Sequence, residues 1–207
     1  GLLSVLRYGF KHRGRRFRVC YFQPESALNQ KDAQRYAQNE ITCNRQWFYS
    51  DTTHNSVDMV LAVNGIPVFA FELKNQFTGQ TVENAKQQWM HDRDPREVCF
   101  QFNKRILGYF CVDLTEVWMA TRLAGKDTRF LPFNQGSNGA GRDGGAGNPP
   151  NPNGYLTAYL WEEVFQKDSM MDILQKFMSL QEGKTLIFPR YHLLDVVCKL
   201  VADVRLK

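Results

Sequence analysis

Three side chains between positions 58 and 74 have the types and spacing that phosphodiester chemistry needs: Asp58, Glu72 and Lys74. Glu72 and Lys74 close the run FAFELK (69–74), in which apolar residues give way to charge. Side chains alternate faces along a strand, so Glu72 and Lys74 share one side while Phe71 and Leu73 share the other. Two carboxylates and the backbone carbonyl of Leu73 form an oxygen-rich set suited to a hard divalent ion such as Mg²⁺. Such an ion would polarise a phosphodiester and lower the pKa of a bound water. Lys74 would orient or deprotonate that water, or stabilise the charge that develops on phosphorus. Gln87 and Gln88 follow on the next polar stretch, and a glutamine there could order a water or a phosphate oxygen. The plainer readings are a solvated Glu/Lys pair and glutamines that face solvent.

The elements that must position these groups are a hairpin and a helix. VDMVLAV (57–63) and IPVFAFELK (66–74) read as strands joined at Asn64-Gly65, a strong hairpin signal. Register decides whether Asp58 joins Glu72. A strict two-residue turn pairs Asp58 with Phe71 and leaves Glu72 on the opposite face. A three-residue loop, Val63-Asn64-Gly65 with Gly65 in the left-handed region, shifts the parity, and so does a bulge elsewhere. The chemistry therefore requires such an offset.

GQTVENAKQQWMHDRD (79–94) reads as a helix capped by Thr81 and running to about Asp92 before Pro95. An earlier helix is expected from Asn29 to about Gln38, followed by strand alternation in ITCNRQWFYS (41–50) and a polar loop at 51–56. VCFQF, LGYFCVD and EVWMATRL (98–123) are dense in apolar residues and read as strands or short helices. The stretch 134–154 is saturated with Gly, Asn and Pro and reads as a long flexible loop. Beyond it, 156–180 reads as helical with a broken amphipathic stripe, and 188–204 as a final helix starting at Pro189. Helix, hairpin, helix and further strands make an α/β or α+β pattern.

The chain has 207 residues, 43% hydrophobic and 23% charged, enough for one sizeable core. No apolar run approaches the roughly 20 residues needed to span a bilayer. Five scattered cysteines without a C-x-x-C suit reduced thiols in a cytoplasm better than zinc or disulfides. A net charge of +5 permits a polyanionic partner. The basic run KHRGRRFR (11–18) supplies Lys11, His12, Arg13, Arg15, Arg16 and Arg18 as a phosphate-binding patch, or simply a solvated face beside an edge strand.

NEITCNRQWFYSDTTHNSVDMVLAVNGIPVFAFELKN followed by GQTVENAKQQWMHDRDPRE resembles the N-terminal nuclease domain of type I restriction enzyme R subunits, and the likeness continues through WMATRLAGKDTRFLPFNQG and FPRYHLLDVVCKL. The resemblance implies a PD-(D/E)xK fold, a mixed central sheet flanked by helices that cuts duplex DNA with Mg²⁺. It implies metal ligation by Asp58 and Glu72, with Lys74 as the catalytic lysine. Gln88 fits the glutamine of the family's Gln-x-x-x-Tyr helix motif, but Asp92 stands where its tyrosine would be, with Trp89 nearby as aromatic bulk. Glu40 is the nearest match to the acidic helix residue of such nucleases. The implied organisation is a nuclease domain at 1–133, a loop at 134–154 and a helical segment at 155–207. That segment leads toward an ATP-driven motor that this chain lacks, because no G-x-x-x-x-G-K-[ST] loop is present. The implied partners are duplex DNA and the methylation and specificity subunits. Rival readings are a non-catalytic DNA- or subunit-binding module with a Glu72–Lys74 salt bridge, a solitary repair nuclease of the same superfamily, and a catalytically silent relative.

Overall fold

The computed structural model describes residues 1–26, 28–50 and 53–205. In chain order its helices and strands are α1 (Leu2–Tyr8), β1 (Phe10–His12), β2 (Arg15–Phe17), α2 (Gln30–Ala37), β3 (Ile41–Phe48), β4 (Ser56–Val63), β5 (Ile66–Leu73), α3 (Val82–Gln87), β6 (Gly108–Val112), β7 (Val117–Ala120), β8 (Leu131–Pro132), α4 (Lys167–Asp172), β9 (Ser179–Gln181), β10 (Thr185–Ile187) and α5 (Tyr191–Arg205). Part of the polar loop expected at 51–56 lies outside the described residues.

Six strands form one sheet in the order β3-β4-β5-β6-β7-β8. All neighbours are antiparallel except β5 and β6, which run parallel. The return from β5 to β6 carries α3 across one face of the sheet, which makes the sheet mixed. Helices cover both faces, as expected of an α/β restriction-endonuclease-like fold.

The two faces have different linings because β5 alternates. Phe69 and Phe71 enter the larger core with Phe110, Phe133, Phe188, Leu6 of α1 and Leu174. Ala70 enters the smaller one, with Val60, Tyr109 and Cys111 beneath Val82, Ala85 and Trp89. Each large side chain buried this way stabilises the fold by roughly 1.5–3 kcal/mol. Residues on both sides of 134–154 line the larger core. No helix or strand occurs within 134–154. The base of that loop is closed by Gly136 N–H donating to the Gly147 carbonyl at 2.8 Å and Ser137 N–H to the Gly145 carbonyl at 2.9 Å. The buried Asn148 side chain accepts from Gln135 N–H and donates to the Thr115 carbonyl.

The hairpin turn is the two-residue form, not the three-residue loop. Val63 pairs with Ile66, and Asn64 (φ 49°) and Gly65 (φ 79°) both take positive φ, as a type I′ turn demands. The parity shift comes instead from a bulge. Ala62 faces Pro67 and Leu61 faces Phe69, so Val68 is the extra residue. Consecutive Val68 and Phe69 consequently both enter the larger core. Pro67 has no N–H to give the ladder, a natural companion for a local break in pairing.

Elsewhere the structure adds to the sequence reading and, at 156–180, departs from it. The opening residues form α1, which buries Leu2, Leu3 and Leu6. The basic run is itself a hairpin, β1 against β2 across Arg13 (φ 47°) and Gly14 (φ 76°), and 19–22 form no strand. The stretch 156–180 is not one helix: short π-helical turns at Leu160–Val164 and Ile173–Phe177 flank α4. It ends in β9, which pairs with β10 across the three-residue loop 182–184, in which Glu182 and Gly183 take positive φ. The α2 cap forms as expected, with Asn29 Oδ1 accepting from Asp32 N–H. Among the described residues no helix is long and apolar enough to cross a membrane.

Candidate active site

Met59 faces Phe71 across β4 and β5, and one further step in that register sets Asp58 opposite Glu72. The two carboxyl groups are close enough for the charge of Asp58 to act on Glu72. Asp58 Oδ2 also accepts from Leu73 N–H at 2.8 Å. Since N–H and C=O of one strand residue point to the same edge, the Leu73 carbonyl is directed toward β4 as well. Lys74 follows immediately, its N–H donating to the Val112 carbonyl of β6 at 2.8 Å. Its Nζ lies 3.9 Å from Asp58 Oδ2, and its side chain is only 7% exposed. Lys74 thus forms its ion pair with Asp58, and Glu72 forms its own with Arg93.

Glu72 is fully buried. Burial pushes its carboxyl up to about 7, with Asp58 adding to the rise and Arg93 opposing it. Arg93 Nε (3.1 Å) and Nη2 (2.6 Å) both donate to Glu72 Oε1. Glu72 Oε2 is buried with no hydrogen-bond partner, and so is Gln88 Oε1. Among the described residues the only other such side-chain atom is Gln175 Oε1. Buried carboxylate oxygens are rarely left unsatisfied, so this atom calls for an explanation.

α3 lies over the face that carries Ala70 and, two residues on, Glu72. Thr81 starts it with a capping box completed by Asn84, and Asp113 accepts from Val82 N–H. Past Gln87 the coil widens into a π-helical turn over Gln88–Asp92, a departure from α geometry common at functional sites. Arg93 is the first residue beyond that turn.

With this geometry in view, residues 12–136, more than half of the chain, match the family described as the Type I restriction enzyme R protein N terminus. The chain belongs to that family. A comparison with curated proteins finds no significant match.

In this type I R-protein N-terminal domain the residues singled out from the sequence have separate fates. Asp58, Glu72, the Leu73 backbone and Lys74 come together. Gln88 sits on the segment covering their face, its amide oxygen buried and unpartnered. Asp92 is exposed. Trp89 is a core residue, fully buried among Phe100 and Tyr109 and donating its indole N–H to the Phe110 carbonyl, so it offers no aromatic surface to the site. Glu40 lies at the turn end of the hairpin, where its N–H donates to Asn64 Oδ1 and its carbonyl accepts from Asn64 N–H. The strands carry that end away from Asp58. Lys11, His12, Arg13, Arg15 and Arg16 stand exposed on the β1–β2 hairpin, whose base is a stacked Phe10–Phe17 pair. Arg18, also exposed, donates to the Arg7 carbonyl.

Arg93 carries no signal in the sequence. A lone arginine in HDRDP looks like a helix-end surface charge, and nothing in spacing alone marks it as the partner of a carboxylate on β5. Tyr49 also stands beside it, with the Arg93 Cζ 5.8 Å from its ring centroid.

Among the described residues no three His, Cys, Asp or Glu side chains converge as a metal nest. The donor set here is leaner: Asp58, Glu72 Oε2 and the Leu73 carbonyl. Mg²⁺ is commonly held by one or two carboxylates with water completing its octahedron, so this set fits that ion.

Proposed function

We propose that this domain is the Mg²⁺-dependent endonuclease part of a type I restriction R subunit, hydrolysing phosphodiester bonds of duplex DNA. The observation that carries the reading is Glu72 Oε2, buried without a partner beside Asp58 and within the same cluster as Lys74. Asp58, Glu72 and the Leu73 carbonyl would hold the ion, which when bound supplies Lewis acidity toward a phosphate oxygen and acidifies a bound water. Lys74 Nζ, held at the edge of Asp58, orients the attacking water or stabilises the charge on the phosphoryl group. Gln88 Oε1 is the acceptor available on the covering helix for a water proton. The β1–β2 hairpin, with cations on both faces and at its tip, grips phosphates without reading sequence. Site recognition would come from the specificity and methylation subunits, and delivery of DNA from an ATP-driven motor.

A second reading, a non-catalytic module that holds DNA or partner subunits, is favoured by one feature: the Arg93–Glu72 pair, which would serve equally as a buried structural ion pair. Asp58→Ala and Lys74→Ala separate the two. In the reconstituted restriction complex with ATP and Mg²⁺, each variant is expected to abolish cleavage and leave translocation intact. Retained cleavage in either variant refutes the assignment of that residue.

A further inference from the structure

We propose that Arg93 is a positioning residue for Glu72, taking Oε1 for itself so that Oε2 is presented to the metal ion. This rests on the endonuclease reading above. An arginine meeting a carboxylate commonly forms two parallel bonds, one to each oxygen. Here both bonds go to one oxygen, from Nε at 3.1 Å and from Nη2 at 2.6 Å. The second oxygen stays buried and unpartnered. A pair whose purpose was only to neutralise Glu72 would gain by using both oxygens.

The guanidinium is fixed independently of Glu72. Nη2 also donates to the Ser56 carbonyl at 3.0 Å, at the start of β4, and Nη1 to the Asp92 carbonyl at 3.4 Å. The Tyr49 ring lies alongside. Arg93 thus ties three segments to one carboxylate oxygen: the end of β3, the beginning of β4 and the π turn after α3. Its backbone leaves the helix in an extended conformation (φ −117°, ψ 109°) at the end of that turn. A partner that orients a metal ligand in this way typically contributes a factor of about 10–100 to metal affinity when present.

The contrary arrangement is that Arg93 merely stands in for the ion and is displaced when the ion binds. The two arrangements predict opposite changes on removing the guanidinium. The experiment is Mn²⁺ titration of the 207-residue chain followed by electron paramagnetic resonance, with folding checked by circular dichroism. The proteins are wild type, Arg93→Met, Arg93→Lys and Asp58→Ala. Arg93→Met is expected to weaken Mn²⁺ binding by about 10–100-fold. Arg93→Lys retains the charge but not the two-nitrogen grip, so its affinity falls by less; it also keeps the test alive should the Met variant fail to fold. Unchanged or tighter Mn²⁺ binding in a folded Arg93 variant, with Asp58→Ala still abolishing it, overturns the positioning role alone. Mn²⁺ binding that survives Asp58→Ala overturns the metal reading itself, and the proposal with it.

Discussion

Removing the titration of Glu72 should change how stability depends on pH. The carboxyl ionises near 4.5 in the unfolded chain and is pushed up to about 7 in the fold, first by burial and further by Asp58, against the pull of Arg93. A raised carboxyl favours the folded state while it remains protonated. Its contribution is complete below the unfolded pKa and is lost as pH rises through 7. With those two values, linkage gives a loss of roughly 2.5 kcal/mol between pH 5 and 8. Glu72→Gln keeps the shape and abolishes the titration. The assay is urea unfolding of both proteins in metal-free buffer at intervals from pH 5 to pH 8. In Glu72→Gln, Arg93 faces a neutral group at every pH, as it does in the wild type at the acidic end, so the readout is the change with pH in the wild-type minus variant difference. That difference should fall by about 2.5 kcal/mol across the range, and saturating Mg²⁺ should recover stability at the alkaline end, because ligands bind the ionised form. A difference that is flat with pH refutes the claim that Glu72 enters the fold as an acid poised near neutrality.

Replacing Arg13, Arg15 and Arg16 of the β1–β2 hairpin together by alanine should weaken duplex binding without altering sequence preference, lowering the log–log salt slope by roughly 0.9 for each phosphate no longer neutralised; fluorescence anisotropy at several salt concentrations checks this. Gly65→Ala meets no neighbouring atom but must adopt φ near 79°, a cost of about 1–2 kcal/mol in denaturant unfolding. Because the pairing of Asp58 with Glu72 is set at Val68 rather than at the turn, Mn²⁺ affinity of this variant should be unchanged. Trp89→Ala should cost about 3–5 kcal/mol by urea unfolding, the indole's bond to the Phe110 carbonyl being lost together with its packing.

The sheet was legible where local chemistry and global packing agree. Asn-Gly between two apolar runs, the Thr81 cap and Pro95 all speak through short-range rules, and each appears in the fold at its expected place. The Asp58–Glu72 encounter was legible only as a requirement, since strand parity demanded an offset without saying where it would fall. Val68 supplies it, and no propensity distinguishes that valine from its neighbours. The 156–180 stretch misleads for a related reason. Its apolar stripe suits a helix, yet tertiary packing breaks it at Phe165–Gln166 and turns Ser179–Gln181 into strand. Arg93 was invisible because a buried ion pair between residues far apart in sequence leaves no local pattern.

The bulge at Val68 makes the spacing between the two carboxylates an arithmetic property of the hairpin. With the present chain length, a ladder running unbroken from Val63–Ile66 would send Glu72 to the wrong face; one residue must be swallowed on the way. Deleting Val68 itself removes the surplus and the need to swallow it together. Leu61 can still meet Phe69, and Met59 can still meet Phe71. Such a chain loses the Val68 side chain from the core and the carbonyl that accepts from Leu107 N–H at 2.8 Å, yet keeps Asp58 across from Glu72. Adding a residue between Phe69 and Phe71 does the reverse, preserving the turn while turning Glu72 away. Hairpins of two lengths can therefore carry the same pair of carboxylates, and length variation among relatives is predicted to cluster at Val68 and to avoid the segment 69–72.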